Sequence, residues 1–188
     1  YRYVTLLLGM KPSQHEYKVM GLAPYGQEYH GKKSLLHFEK FNKIIGYKII
    51  NKRIFKDVYL SSRKALNGER FDGIAWGLQT CTENFLKKWV LNCISKFKIK
   101  DIIISGGVAQ NIKAVKVLLD EKKINSIWAG PISGDGSLSI GAAWLATKLY
   151  DKKNKIKSLD NIYLGSEIYN KEIKTVLKKK CQNFKVLK

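Results

Sequence analysis

Between Asp72 and Tyr150 the chain alternates helix, strand, helix, strand, helix, and this alternation limits its fold more than any other feature. Ile74, Leu78, Cys81, Phe85, Trp89, Cys93 and Phe97 recur every three or four residues, the spacing of one apolar face on a long helix. Ile102-Ile103-Ile104 then reads as a short strand, apolar on both faces and so expected inside a sheet covered on both sides. Ser105-Gly106-Gly107 makes a tight turn. Residues 111–121 predict a second helix with Val115, Leu118 and Leu119 inward. Residues 124–129 predict a second strand, ended by Gly130-Pro131. Gly134-Asp135-Gly136 turns the chain into a third helix over residues 138–150, with small residues Gly141, Ala142, Ala143 and Ala146 on one face. Such alternation with short links predicts an α/β layer.

The remainder is less regular. Residues 16–26 start as a short helix that Pro24 and the flanking glycines force into a turn. Residues 32–71 show no clear period, apart from a strand-like stretch over residues 44–54 with Gly46 and Asn51 as turn points. Residues 151–157 are a lysine-rich run and read as a linker. Residues 169–180 predict a helix, and Phe184-Lys185-Val186-Leu187 a strand, as the beginning of a second domain. The expected divisions are residues 1–150, a linker at 151–160 and an incomplete domain at 161–188. Tyr1-Arg2-Tyr3-Val4 reads as the middle of a structural element, so a fragment of a longer protein is expected.

Composition removes several function classes. With 45% hydrophobic residues, a sizeable core is expected. No apolar stretch approaches the ~20 residues of a membrane span, and no membrane partner is expected. Cys81, Cys93 and Cys181 form no CxxC pair, which argues against a disulfide framework or zinc ribbon and for a reducing cytoplasm, with Cys81 and Cys93 as buried structural thiols. The net charge of +20 suits nucleic acid or anionic surfaces. It arises, however, from 31 lysines spread along the chain and only 4 arginines, the residue favoured for forked phosphate recognition, so nucleic acid is not expected as a partner. His15, His30 and His37 form no HxxxH or HExxH pattern, so a metal site made of these histidines is not expected.

Two glycine turns carry the chemistry. Each stands at or just past a strand end and feeds a helix, where bare backbone amides and a helix N-terminus can hold phosphate. Gly106 and Gly107 leave the main chain open to close approach by a ligand, and Asn111 can donate and accept on the same ligand. Taken alone, they read equally well as a tight βα turn. Asp135, between Gly134 and Gly136, reads either as a helix N-cap or as a metal or ribose contact.

Together the blocks carry a resemblance. Residues 104–111 (ISGGVAQN) resemble the GGVxxN signature of the TsaD-like branch of actin-like ATPases. Residues 134–143 (GDGSLSIGAA) resemble the later GDxGxxxGAA segment, with Ser137 in place of a glycine. Residues 16–26 (EYKVMGLAPYG) resemble the block of the NodU/CmcH-type O-carbamoyltransferases, and residues 162–165 (IYLG) are similar to the opening of that family's YrdC-like second domain.

The resemblance implies an α/β fold of actin-like (TsaD-like) type, ATP as cofactor, and a divalent metal, Fe2+ in characterised relatives. Its implied partners are carbamoyl phosphate and a hydroxyl-bearing small-molecule acceptor, with a homodimer allowed. Transfer would proceed from carbamoyl phosphate through carbamoyl adenylate. Gly106, Gly107, Val108, Asn111 and Gly134 would line the nucleotide and Asp135 would ligate the metal, with Glu16 and Lys18 in a cleft loop. The family's metal-binding histidines and adenylate-forming residues match no part of this chain, so the chain alone is expected to be inactive. Alternatives are tRNA threonylcarbamoyl transfer of the TsaD type and a non-catalytic nucleotide- or RNA-binding module.

Overall fold

The computed structural model describes residues 1–52, 56–130, 132–151, 153, 161–163 and 165–180, which form a mixed α/β structure. The chain divides into two compact units, Tyr1–Ala143 and Trp144–Lys188. The first unit opens with helices α1 (Arg2–Leu7), α2 (Glu16–Leu22) and α3 (Glu28–Phe38). A 3-10 turn at Ala23–Tyr25, with Pro24 inside it, separates α2 from α3 as the proline and glycines led one to expect. In the stretch without a clear period, an antiparallel hairpin joins β1 (Asn42–Ile45) to β2 (Lys48–Asn51), with Gly46 at φ 58° supplying the corner. Helix α4 (Val58–Ala65) follows, capped by Asp57, whose Oδ1 accepts the Leu60 N–H at 2.8 Å. Then come the 27-residue α5 (Phe71–Phe97), β3 (Asp101–Ile104), α6 (Ile112–Leu119), β4 (Ser126–Ala129) and α7 (Leu138–Tyr150). Helix α8 (Asn170–Lys180) belongs to the second unit. The strand expected at residues 184–187 and most of the linker at 151–160 lie outside the described residues.

Helix α5 serves two cores. Its first half places Ile74, Ala75 and Leu78 against Val4, Leu8, Val19, Phe38 and Leu66. Its second half places Val90 and Ile94 against Leu118, with Ile102 and Ile127 of the strands beside them. The apolar stripe expected through Trp89, Cys93 and Phe97 therefore needs correcting. The deepest residues sit one position further round, because α6 and the strands approach the helix from a different side than α1 and α3. Phe97 is 52% exposed. Cys81 and Cys93 are half-buried rather than buried, and burial pushes the Cys81 thiol up to about 11.

The α3–α5 crossing is close because small residues face each other there. A Cβ added to Gly77 would lie 2.6 Å from the Leu35 backbone nitrogen and 2.7 Å from Ser34 Cβ. Ser34 is fully buried at this seam.

Strands β3 and β4 pair in parallel, with Ile102 opposite Ile127 and Ile103 opposite Trp128. Asp101 secures the register at its start: Oδ1 accepts from Asn125 Nδ2 and from Ser126 Oγ, both at 2.6 Å. These bonds hold its carboxyl below the usual carboxylate range. Expected cover on both faces is not found among the described residues. Ile103 and Trp128 are 76% and 59% exposed, since α5 and α6 pack on one face only. In α6 the inward residues are Ala114 and Leu118, both fully buried, while Leu119 is 59% exposed and Val115 half-buried. Asn111 caps the helix and sets this phase, which puts the i, i+4 pair inward. Among the described residues no helix is long and apolar enough to cross a membrane.

Candidate functional site

The turn after β3 begins at Gly106, whose φ of 91° is a left-handed conformation that glycine adopts without strain. A 3-10 turn, Gly107–Gln110, leads to Asn111. This turn is tied to the loop after β4. Gly106 donates its N–H to the Ser133 carbonyl oxygen at 2.7 Å. The Gln110 side chain packs on Gly134, where a Cβ would come within 2.9 Å of Nε2. The two glycine turns singled out by the sequence thus form one surface.

Beside that surface lies a cavity of about 420 Å³, within the ~300–1,000 Å³ of small-molecule sites. Gly107, Val108, Gln110 and Asn111 form one wall, and Glu16, Tyr17 and Met20 of α2, with Tyr1, form the other. Four of the residues expected from sequence, Glu16, Gly107, Val108 and Asn111, therefore meet in one place. Glu16 is anchored by accepting the Ser13 N–H at 2.6 Å. Lys18 is exposed, its ammonium 5.9 Å from the centre of the Tyr17 ring, and is not among the lining residues. A second hollow of about 480 Å³ runs along α3 past Lys32, Lys33 and Lys40. It holds none of the motif residues, so the smaller cavity is the candidate site.

Behind the turn is a buried polar cluster that sequence reasoning missed. Gln79 and Asn111 are 4% and 7% exposed and bond reciprocally: Gln79 Nε2 donates to Asn111 Oδ1 at 3.0 Å, and Asn111 Nδ2 donates to Gln79 Oε1 at 2.9 Å. Gln79 Nε2 also donates to Glu83 Oε1 at 2.6 Å. Asn111 Nδ2 also donates to the Tyr1 hydroxyl at 3.1 Å, and the Tyr1 hydroxyl donates in turn to Gln79 Oε1. Burial pushes the Tyr1 phenol up to about 12. Asn111 Oδ1 further accepts the Ala114 N–H at 3.1 Å as the α6 cap. Both amide hydrogens and both lone-pair directions of Asn111 are used within the protein. Donation from Asn111 to a ligand, the role read from its position, is thus taken up by Gln79 and Tyr1, although the residue lines the cavity. A polar stripe on α5, Asp72, Gln79 and Glu83 at helical spacing alongside the apolar one, was the available signal.

Nucleotide fits this arrangement in two respects. A Cβ added to Gly107 would point into open space, so the backbone is approachable there, and the opposite wall offers the Glu16 carboxylate and the flat Tyr17 ring. A metal fits less well. Asp135 opens a 3-10 turn, Asp135–Ser137, and is exposed. Among the described residues no three His, Cys, Asp or Glu side chains lie close enough to hold an ion. Ser137, at the departure from the motif, closes its turn with Oγ donating to the Gly134 carbonyl at 3.0 Å. The histidines are apart in function: His15 Nδ1 accepts the Lys11 N–H at 3.1 Å, the His30 ring lies 3.8 Å from that of Tyr29, and His37 bonds Ser62 Oγ at 3.0 Å.

The described residues thus form a mixed α/β unit with one cavity between the glycine turn and α2. Residues 1–144 match the carbamoyltransferase N-terminus family. The chain belongs to the carbamoyltransferase family. It is 30% identical over 198 residues to an uncharacterized protein of Synechocystis sp., covering 95% of this chain and 32% of that one. It is 30% identical over 196 residues to an uncharacterized protein of Methanocaldococcus jannaschii, covering 99% and 36%. It is 27% identical over 160 residues to nodulation protein NolNO of Sinorhizobium fredii, covering 81% and 23%. The chain spans about a third of the length of the first two relatives.

Proposed function

We propose that this chain is the nucleotide-binding part of an ATP-dependent O-carbamoyltransferase with an actin-like, TsaD-like domain. The reaction is transfer of a carbamoyl group from carbamoyl phosphate, by way of carbamoyl adenylate, to the hydroxyl of a small-molecule acceptor. One observation carries the reading: residues of the 16–26 block and of the glycine turn, remote in sequence, line the same cavity. Gly107 leaves room for phosphate oxygens against the backbone. Tyr17, Met20 and Val108 give the cavity an apolar wall that limits water, which strengthens polar contacts made there. Glu16 offers a carboxylate to hydroxyl or amino donors. No step is assigned to a metal, because the described residues assemble no ligand set.

Calorimetric titration of the full-length protein with adenylyl imidodiphosphate tests the reading. Saturable one-site binding, together with carbamoyl-phosphate-dependent pyrophosphate release from ATP, supports it. Absence of both rejects it.

A further inference from the structure

We propose that Gln79 is a positioning residue for this cavity, acting on the glycine turn through Asn111. The inference rests on the reading of the cavity as a nucleotide site.

An amide in the buried middle of a long helix is not explained by helix formation, since leucine forms helix as well or better and would suit a core position. Its four hydrogen-bonding directions are instead spent on one target and its neighbours. Gln79 Nε2 and Oε1 both engage Asn111, while Glu83 and Tyr1 take the remaining positions. Asn111 is where the glycine turn ends, its own N–H donating to the Val108 carbonyl at 3.0 Å. It is also where α6 begins. The start of the turn is fixed separately, by the Gly106 bond to Ser133. Gly107 and Val108, which face the cavity, are thus held between two anchors, and Gln79 belongs to the second. A fully satisfied buried network of this kind specifies one geometry, because any alternative leaves polar groups unpaired away from water. Loss of Gln79 frees the Asn111 end, so the turn samples positions in which it does not meet the ligand.

The test is a double-mutant cycle in the full-length protein, read as calorimetric affinity for adenylyl imidodiphosphate with the folded fraction checked by circular dichroism. Gln79→Met keeps length and removes the amide. Asn111→Asp keeps the helix cap and an acceptor for Gln79 but loses both donors. Each single variant is expected to weaken binding about tenfold, and the double variant scarcely further, because both remove the same linkage. Additive losses, or unchanged affinity in folded Gln79→Met, overturn the inference. If Gln79→Met does not fold, Gln79→Asn replaces it, with the amide drawn back by one methylene. It is expected to weaken binding several-fold, and unchanged affinity again overturns the inference. A wild-type protein that binds no analogue removes the nucleotide reading and this inference together. Binding that is lost in Gly107→Val but intact in the Gln79 variants removes this inference alone.

Discussion

The Gly106 N–H points at the Ser133 carbonyl oxygen, 2.7 Å away, and this one bond joins the turn after β3 to the loop after β4. It leaves adjacent glycines with different tasks. Gly106 carries the left-handed φ and the bond, whereas Gly107 has no positive φ and nothing near its missing Cβ. Gly106→Val is therefore expected to cost about 1–3 kcal/mol of stability from backbone strain. Gly107→Val is expected to fold normally and to weaken binding of an ATP analogue at least tenfold. Thermal unfolding and calorimetry on the same two variants check this. Normal analogue affinity in Gly107→Val would show that this glycine is only a turn residue.

Asp135 is exposed at the first position of its turn, so Asp135→Asn is expected to leave the thermal midpoint unchanged. The ligand role that the family resemblance implies for Asp135 adds a second expected outcome, a lower metal content in the full-length protein by elemental analysis, because an amide is a weaker, uncharged donor. Stoichiometric metal in the variant rejects that role. A stability loss of about 0.5–2 kcal/mol in Asp135→Ala, with the Asn variant unaffected, would instead mark a cap.

Gly77→Ala tests the helix seam. Its new methyl would enter the space of Ser34 Cβ and the Leu35 nitrogen, which a buried crossing cannot yield freely. The expected cost is about 1–3 kcal/mol, read as a lower midpoint in urea with an unchanged slope.

How much of this was legible in sequence depended on whether a residue's partner was local. The strand–turn–helix units around Gly106 and Gly134 were readable because periodicity and glycine act within a few residues. The hairpin was legible only in part: Gly46 marked its corner, but not the corner's seat on α5, where the Tyr47 carbonyl accepts from Trp89 Nε1 and the Gly46 carbonyl from Asn92 Nδ2. Those bonds leave no mark on an apolar pattern. Ile103 misled because three consecutive isoleucines suggest burial on both faces, and burial depends on what else packs nearby. The union of Glu16 with Gly107 in one cavity depends on tertiary packing, and only resemblance pointed to both blocks. The polar stripe on α5 marked Gln79 as unusual but not its role, since two of its partners, Tyr1 and Asn111, are remote in sequence.

His37 gives a pH test. It is 6% exposed and bonded to Ser62, and burial, followed by Lys40, lowers its pKa below the ordinary value near 6.5. A lowered folded pKa favours the neutral ring, so its contribution is complete above pH about 6.5 and is lost as pH falls through the folded value. The thermal midpoint should decline between pH 7 and 5, and His37→Leu should flatten that decline. An identical slope in the variant would assign it to other groups.

Helix α5 spans about 40 Å at ~1.5 Å per residue, and each half is the floor of a different core. Neither core can melt without releasing backbone that the other needs, so Tyr1–Ala143 is expected to unfold cooperatively despite having two hydrophobic centres. Trp76 reports on the α3 seam, and Trp89 sits beside the second core. Single-tryptophan variants retaining one or the other should give coincident denaturation curves. The helix thus acts as a common keel, and damage at the hairpin end is felt as lost stability at the opposite end of the unit.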